Sequence, residues 1–99
     1  MTDLRLSAMR AFLGQITPTM RRISCWMDGS EITVSVVMDR EPTEKEIDRI
    51  SVAATEIIAD YPQATNVHER ITVSEEDFAA EAGVKGDIIF ERAEDDNTL

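Results

Sequence analysis

The hydrophobic positions along the chain predict two amphipathic helices, the first within residues 4–16. Apolar side chains recur there three or four positions apart, which is the spacing of one helix face. They are Leu6, Met9, Leu13 and Ile16, with Phe12 beside them. Thr17 precedes Pro18 and is therefore biased away from helical backbone, so we expect the helix to end before the proline.

The second helix is marked at both ends. Thr43 and Glu46 have the spacing of a capping box, in which the threonine hydroxyl accepts the Glu46 amide and the carboxylate reaches back. Pro62 stops the helix at its other end. A single apolar stripe between these signals predicts a helix that packs on a core along one side. The stripe consists of Ile47, Ile50, Ala54, Ile57, Ile58 and Tyr61.

Alternating apolar and polar residues predict four strands, over residues 20–27, 32–38, 66–73 and 87–92. The first two flank a turn sequence at residues 28–30 and therefore predict a β-hairpin. The order α-β-β-α-β-β predicts an α+β fold, with a four-stranded antiparallel sheet and both helices on one face. The other face would then present Arg22, Trp26, Val37, His68 and Arg70.

Length and composition fit one domain. The 99 residues are 42% hydrophobic and 30% charged, as in ordinary globular proteins. We expect a single domain over residues 1–93 and a flexible acidic tail over residues 94–99, with a loop or short helical turn over residues 74–82. No stretch approaches the roughly 18 apolar residues of a membrane span, and the N-terminus lacks a secretory signal, so we expect a cytoplasmic location and no membrane contact.

Charge narrows the choice of partner. The formal net charge is -10, and the excess is uneven. Residues 1–27 hold one acid and four bases, whereas residues 28–99 hold nineteen acids and six bases. A negative field repels nucleic-acid phosphates and attracts cationic surfaces. The pattern favours a basic protein partner and disfavours nucleic acid, with acidity that serves solubility alone as the alternative.

No group of residues has the spacing of a catalytic or metal site. His68 is the only histidine and Cys25 the only cysteine, so no zinc-ligand pattern is present. The four glycines are scattered and form no phosphate-binding loop. We therefore expect no catalytic residues, no metal and no cofactor. A small enzyme or ligand carrier that uses Cys25 and His68 is the least favoured hypothesis.

The candidate partner-binding residues are one aromatic residue and six acids. Trp26 is the only tryptophan, a residue type enriched at binding hot spots, with packing at the core or its rim as the alternative role. The acids fall on predicted strand ends, loops or one strand face, where they could meet a basic partner. They are Asp39, Glu41, Glu69, Glu75, Glu76 and Asp77.

Three segments, residues 10–18, 39–44 and 53–62, resemble small bacterial proteins. The first reads Arg-Ala-Phe-Leu-Gly-Gln-Ile-Thr-Pro, and the third reads Ala-Ala-Thr-Glu-Ile-Ile-Ala-Asp-Tyr-Pro. Some of these proteins look like immunity proteins of contact-dependent growth inhibition systems. The resemblance implies a non-catalytic inhibitor that binds and neutralises one cognate toxin, often a basic nuclease. It assigns no toxin-contact residue in this chain.

A second hypothesis is a structural or regulatory module that associates with itself. Val37, Val52 and Ala59, or a free edge strand, would then contact a second copy. The sequence alone leaves a monomer and a weak homodimer both open.

Overall fold

The computed structural model describes residues 3–73 and 86–92, which contain two helices and four strands. The elements are α1 (Leu4–Ala11), β1 (Met20–Asp28), β2 (Glu31–Met38), α2 (Glu44–Ala59), β3 (Asn66–Val73) and β4 (Asp87–Glu91). This order confirms the predicted α+β succession. The loop expected at residues 74–82 and the tail expected at residues 94–99 lie outside the described residues.

The four strands form one mixed sheet in the order β3-β2-β1-β4. β1 pairs antiparallel with both β2 and β4, but β2 and β3 run parallel. The prediction of a wholly antiparallel sheet is therefore wrong. The 16 residues of α2 span about 24 Å, which is nearly the length of β2, so the helix returns the chain to the end where β2 began. A strand that starts there and pairs with β2 has to be parallel to it.

The strand registers separate two faces of the sheet. On one face, Ile23 lies opposite Val36 and Cys25 opposite Val34, and all four are buried in the core with the helices. The residues predicted for the other face are found on it: Arg22 pairs with Val37, Trp26 with Thr33, and β3 places His68 and Arg70 beside Thr33 and Ser35. Arg22 is only 6% exposed, however, so the prediction that this face presents its side chain is wrong. Both helices cover the first face. We call the two helices, α1 and α2, the helical layer.

α2 begins and packs as its sequence predicts. The Thr43 hydroxyl accepts the Glu46 amide at 3.2 Å, and the Thr43 amide donates to Oε1 of Glu46 at 2.9 Å, which completes the capping box. Its buried residues are Glu46, Ile50, Ala53, Ala54 and Ile57. Ile47, assigned to the buried stripe from spacing, is instead 40% exposed.

α1 is turned differently from the sequence prediction. It buries the small residues Ser7, Ala8 and Ala11, and the following Phe12 is buried as well. The predicted stripe of Leu6, Met9, Leu13 and Ile16 is exposed. Small side chains allow the helix backbone to approach α2 closely, whereas the larger residues would hold it away. Within α1, Leu6 and Met9 are directed outward, while Leu4 packs partly against the core.

Candidate partner-binding surfaces

Two of the predicted acids, Asp39 and Glu41, lie between β2 and α2. Asp39 accepts a 2.9 Å hydrogen bond from Nη1 of Arg92, and the same guanidinium nitrogen donates to the carbonyl oxygen of Pro18 at 2.8 Å. Asp39 therefore ties the end of β2 to the segment after β4. Glu41 is exposed and makes no ion pair within the described part of the chain.

The other predicted partner-binding residues lie away from Asp39 and Glu41. Glu69 lies on the helical-layer face of β3, where it accepts a 2.8 Å hydrogen bond from the Ser51 hydroxyl. Trp26 is half-buried on the opposite face of β1. It pairs with Thr33, six residues before Asp39, which separates Trp26 and Asp39 by about 20 Å along β2. The remaining three, Glu75, Glu76 and Asp77, lie outside the described residues.

The sequence analysis missed two acids that extend the Glu41 site along α2. Glu44 and Asp48 are both exposed, and neither makes an ion pair among the residues that the structure describes. Because they are four positions apart in α2, they lie on the same side of the helix. We call Glu41, Glu44 and Asp48 the acidic surface. The signal available in the sequence was the pair of acids at helical spacing behind the predicted capping residue.

Glu46 is an acid of a different kind, because it is buried. Hydrogen bonds from the Thr19 hydroxyl at 2.5 Å and the Thr43 amide lower the pKa of this carboxyl below its ordinary value, although burial acts in the opposite direction. Thr17 contributes a third bond, at 3.1 Å. All of these partners stabilise the charged form of Glu46. This side chain therefore connects the first turn of α2 to the start of β1 and has a structural role.

Cys25 and His68 lie on opposite faces of the sheet and form no nucleophile–base pair. Cys25 is buried under the helical layer. Nε2 of His68 instead lies 2.8 Å from Oε1 of Glu31, in an exposed pair at the hairpin end. The described residues contain no group of three or more histidine, cysteine, aspartate or glutamate side chains that would hold a metal ion.

Exposed aliphatic side chains lie on the outward side of α1 and on the segment that follows it, residues 12–16. Leu6 is 52% exposed, Met9 44%, Leu13 75% and Ile16 40%, and we call these four residues the apolar stripe. At 100° per residue, Met9 and Leu6 lie between Arg5 on one side and Arg10 on the other. The stripe is thus an aliphatic strip with a cationic border on a strongly acidic protein.

An open groove of about 320 Å³ lies between α1 and α2, on the Arg10 side of the stripe. The Ser7 hydroxyl donates a 2.5 Å hydrogen bond to Oδ2 of Asp60, and Nη2 of Arg10 lies 3.7 Å from the same oxygen. The groove is also lined by Ala11, Glu56 and Ala59. The bonds of Ser7 and Arg10 to Asp60 join the two helices along it.

The turn after α1 is held against α2. Nη1 of Arg49 donates to the carbonyl oxygen of Gly14 at 3.0 Å and to Oε1 of Gln15 at 3.3 Å. The outward side of α1 and the acidic surface of α2 therefore belong to the same layer. A partner that approaches this layer meets aliphatic, cationic and anionic groups side by side.

Neither helix of the described ranges combines the length and apolarity needed to cross a bilayer.

Comparisons with known proteins give one result that bears on function. A search of curated proteins found no match. A protein-family model described as MafI2 immunity protein matches residues 1–94. This match spans almost the whole sequence and supports the resemblance to immunity proteins inferred from the sequence segments. The chain belongs to the MafI2 immunity protein family.

Proposed function

We propose that this protein is a non-catalytic inhibitor that binds one cognate toxin in the cytoplasm and blocks its activity. The observation that carries the proposal is the match of residues 1–94 to an immunity protein family. The separation of Cys25 from His68 on opposite sheet faces is consistent with inhibition by binding, because it removes the nucleophile–base pair that the sequence analysis considered.

A basic toxin is the partner that the charge favours. The chain carries a net charge of -10, and the acidic surface adds three exposed carboxylates at the start of α2. Proteins that cleave nucleic acid need cationic sites to hold phosphates, so a nuclease toxin would present such a surface. Covering that site with carboxylates would both speed encounter and exclude the substrate.

The test uses the protein encoded directly upstream of this chain, produced in a bacterial host with and without it. We expect growth arrest without the chain and growth with it. With both proteins purified, toxin activity should fall linearly and reach its end point at one equivalent of inhibitor. An inhibitor that inactivates the toxin catalytically would reach that end point well below one equivalent, and failure to protect would contradict the immunity function itself.

The contribution of charge is tested by replacing Glu41, Glu44 and Asp48 together with lysine. We expect association with the toxin to slow by about tenfold or more at low salt, with a smaller difference at high salt. Glu69→Lys is the matched control, because Glu69 is exposed but lies on the edge strand β3 and is bonded to Ser51. Equal rates for the triple variant and the native chain would remove the acidic surface from the interface.

A further inference from the structure

Within the parts of the chain that the structure describes, residues 3–73 and 86–92, the apolar stripe is left largely uncovered. Its four side chains are 40–75% exposed, while the side chains that α1 buries completely are those of serine and alanine. Exposed apolar side chains that group together within a polar rim are typical of interaction sites. An arrangement that buries alanine and exposes leucine and methionine sacrifices hydrophobic stabilisation of the isolated fold, and a partner that covers the stripe would recover it.

We propose that the apolar stripe, on α1 and the turn after it, is the primary contact for the cognate toxin, which covers it with apolar side chains bordered by carboxylates. This inference rests on the proposed immunity function and adds a surface that the acidic residues do not supply. Leu6 and Met9 form the centre of the contact. Arg5 and Arg10 form its cationic border and select a partner with acidic groups at the matching positions.

The same border disfavours a second copy of the chain as the occupant. In a symmetric pair of antiparallel α1 helices, each Arg5 side faces the Arg5 side of the second copy, and each Arg10 side faces its own equivalent. Four guanidinium groups would then surround one aliphatic strip, with like charges opposed most directly at the Arg5 edge, because Arg10 also lies 3.7 Å from Asp60. A partner with carboxylates at its edge would instead pair with the two guanidinium groups that one chain presents.

Two contacts already described hold the stripe ready for binding. Arg49 fixes the turn that carries Leu13 through its bonds to Gly14 and Gln15. The Ser7–Asp60 hydrogen bond joins the middle of α1 to the end of α2. Little ordering is therefore needed on binding, which preserves the affinity gained from burying the aliphatic side chains.

The test measures binding of the purified upstream-encoded toxin to the double variant Leu6→Ser/Met9→Ser. We expect the Kd to rise at least about 30-fold, as for loss of a hot spot at the centre of an interface. The matched control is Ile47→Ser, a residue that is 40% exposed on α2 and lies on the side of that helix toward β3; its Kd should stay within about threefold. Circular dichroism and thermal unfolding of the free proteins confirm that both variants are folded.

Arg5→Glu tests the border independently of folding, because the position is exposed and glutamate is favourable in the first turn of a helix. We expect association to slow by about tenfold at low salt. If a basic toxin met this protein through its acidic groups alone, the added carboxylate would speed association instead. Arg70→Glu, on the other sheet face, is the charge control; because it makes the chain more negative away from the stripe, it should not slow association with a basic toxin.

The outcomes separate the two proposals. A native chain that neither protects nor binds refutes the immunity function, and the docking surface with it. A native chain that binds, with Leu6→Ser/Met9→Ser and Arg5→Glu binding equally well, refutes the docking surface alone. Loss of binding in the α1 variants with retention in Ile47→Ser and Arg70→Glu supports it.

Discussion

The Thr19 hydroxyl donates a 2.5 Å hydrogen bond to Oε2 of Glu46, and so joins the start of β1 to the first turn of α2. The other carboxylate oxygen, Oε1, accepts the Thr43 amide at 2.9 Å. One side chain therefore closes the capping box and anchors the helix to the sheet. Because these hydrogen bonds favour the charged form of Glu46, the free energy of unfolding should depend on pH.

Acid should destabilise the protein through Glu46. Because hydrogen bonds lower the pKa of Glu46 in the folded state, its contribution is fully present above the ordinary glutamate pKa and is lost as pH falls through the lowered value. We expect the melting temperature of Glu46→Gln to fall less steeply than that of the native chain below about pH 4.5. Thermal unfolding followed by circular dichroism from pH 3 to pH 7 measures both slopes.

Thr55→Ala is the control for this pH effect, since Thr55 is an exposed residue of the same helix and carries no titrating group. Its slope should match that of the native chain, because every carboxyl group stays in place. Parallel pH profiles for Glu46→Gln and the native chain would mean that the carboxylate makes no charge-dependent contribution.

Removing the N-cap hydroxyl of α2 should lower the free energy of unfolding. Thr43→Ala deletes the hydroxyl that accepts the Glu46 amide, and we expect a loss of about 1 kcal/mol in the free energy of unfolding. Urea denaturation measures it. Thr55→Ala, an exposed site within α2, should leave stability within about 0.5 kcal/mol of the native value. A smaller loss for Thr43→Ala than for Thr55→Ala would contradict the capping box.

The orientation of α1 gives a third prediction. Ala8 is fully buried, so Ala8→Leu inserts a larger side chain into a packed core and should destabilise the fold by about 1–3 kcal/mol. Leu13 is 75% exposed, and Leu13→Ala should change stability by no more than about 0.5 kcal/mol. Urea denaturation of the two variants decides between this orientation and the one that spacing predicts, for which Leu13→Ala would be the damaging change.

The contrast between the two helices shows where sequence patterns suffice. The α2 cap depends on Thr43 and Glu46, three residues apart, so local spacing was enough to predict it. α1 depends on how closely it approaches α2, which involves Ser7 and Asp60, 53 residues away in the chain. Hydrophobicity alone favours Leu6 for the core, whereas the geometry of the contact selects small side chains.

In the sheet and in the candidate site as well, local features could be predicted from the sequence, whereas contacts between distant segments could not. The β1–β2 hairpin was predicted because its turn and its alternation are local. The parallel pairing of β2 with β3 depends on the path of the chain through α2, which periodicity does not report. For the site, composition pointed to an acidic surface, but the separation of Trp26 and Glu69 on opposite faces appears only once the strand registers are known.

Gly86 supplies a fourth prediction. It has a φ of +80°, and a Cβ there would overlap the carbonyl oxygen of Cys25 and lie 2.9 Å from Cβ of Trp26. Gly29 also has a positive φ, of +60°, but has open space around it. Gly29→Ala should therefore cost about 1–2 kcal/mol from backbone strain alone, and Gly86→Ala clearly more. Denaturant midpoints measure the difference, and equal losses would show that β4 does not approach β1 this closely.

The central position of β1 has a consequence during protein synthesis. One side of β1 pairs with the neighbouring β2, but the other side pairs only with β4, whose Phe90 lies opposite Ile23, 67 positions earlier in the sequence. β4 leaves the ribosome after the other three strands, so a nascent chain exposes an unpaired edge for most of its translation. Stalled or truncated chains that lack β4 should accordingly be the species that chaperones retain and that aggregate.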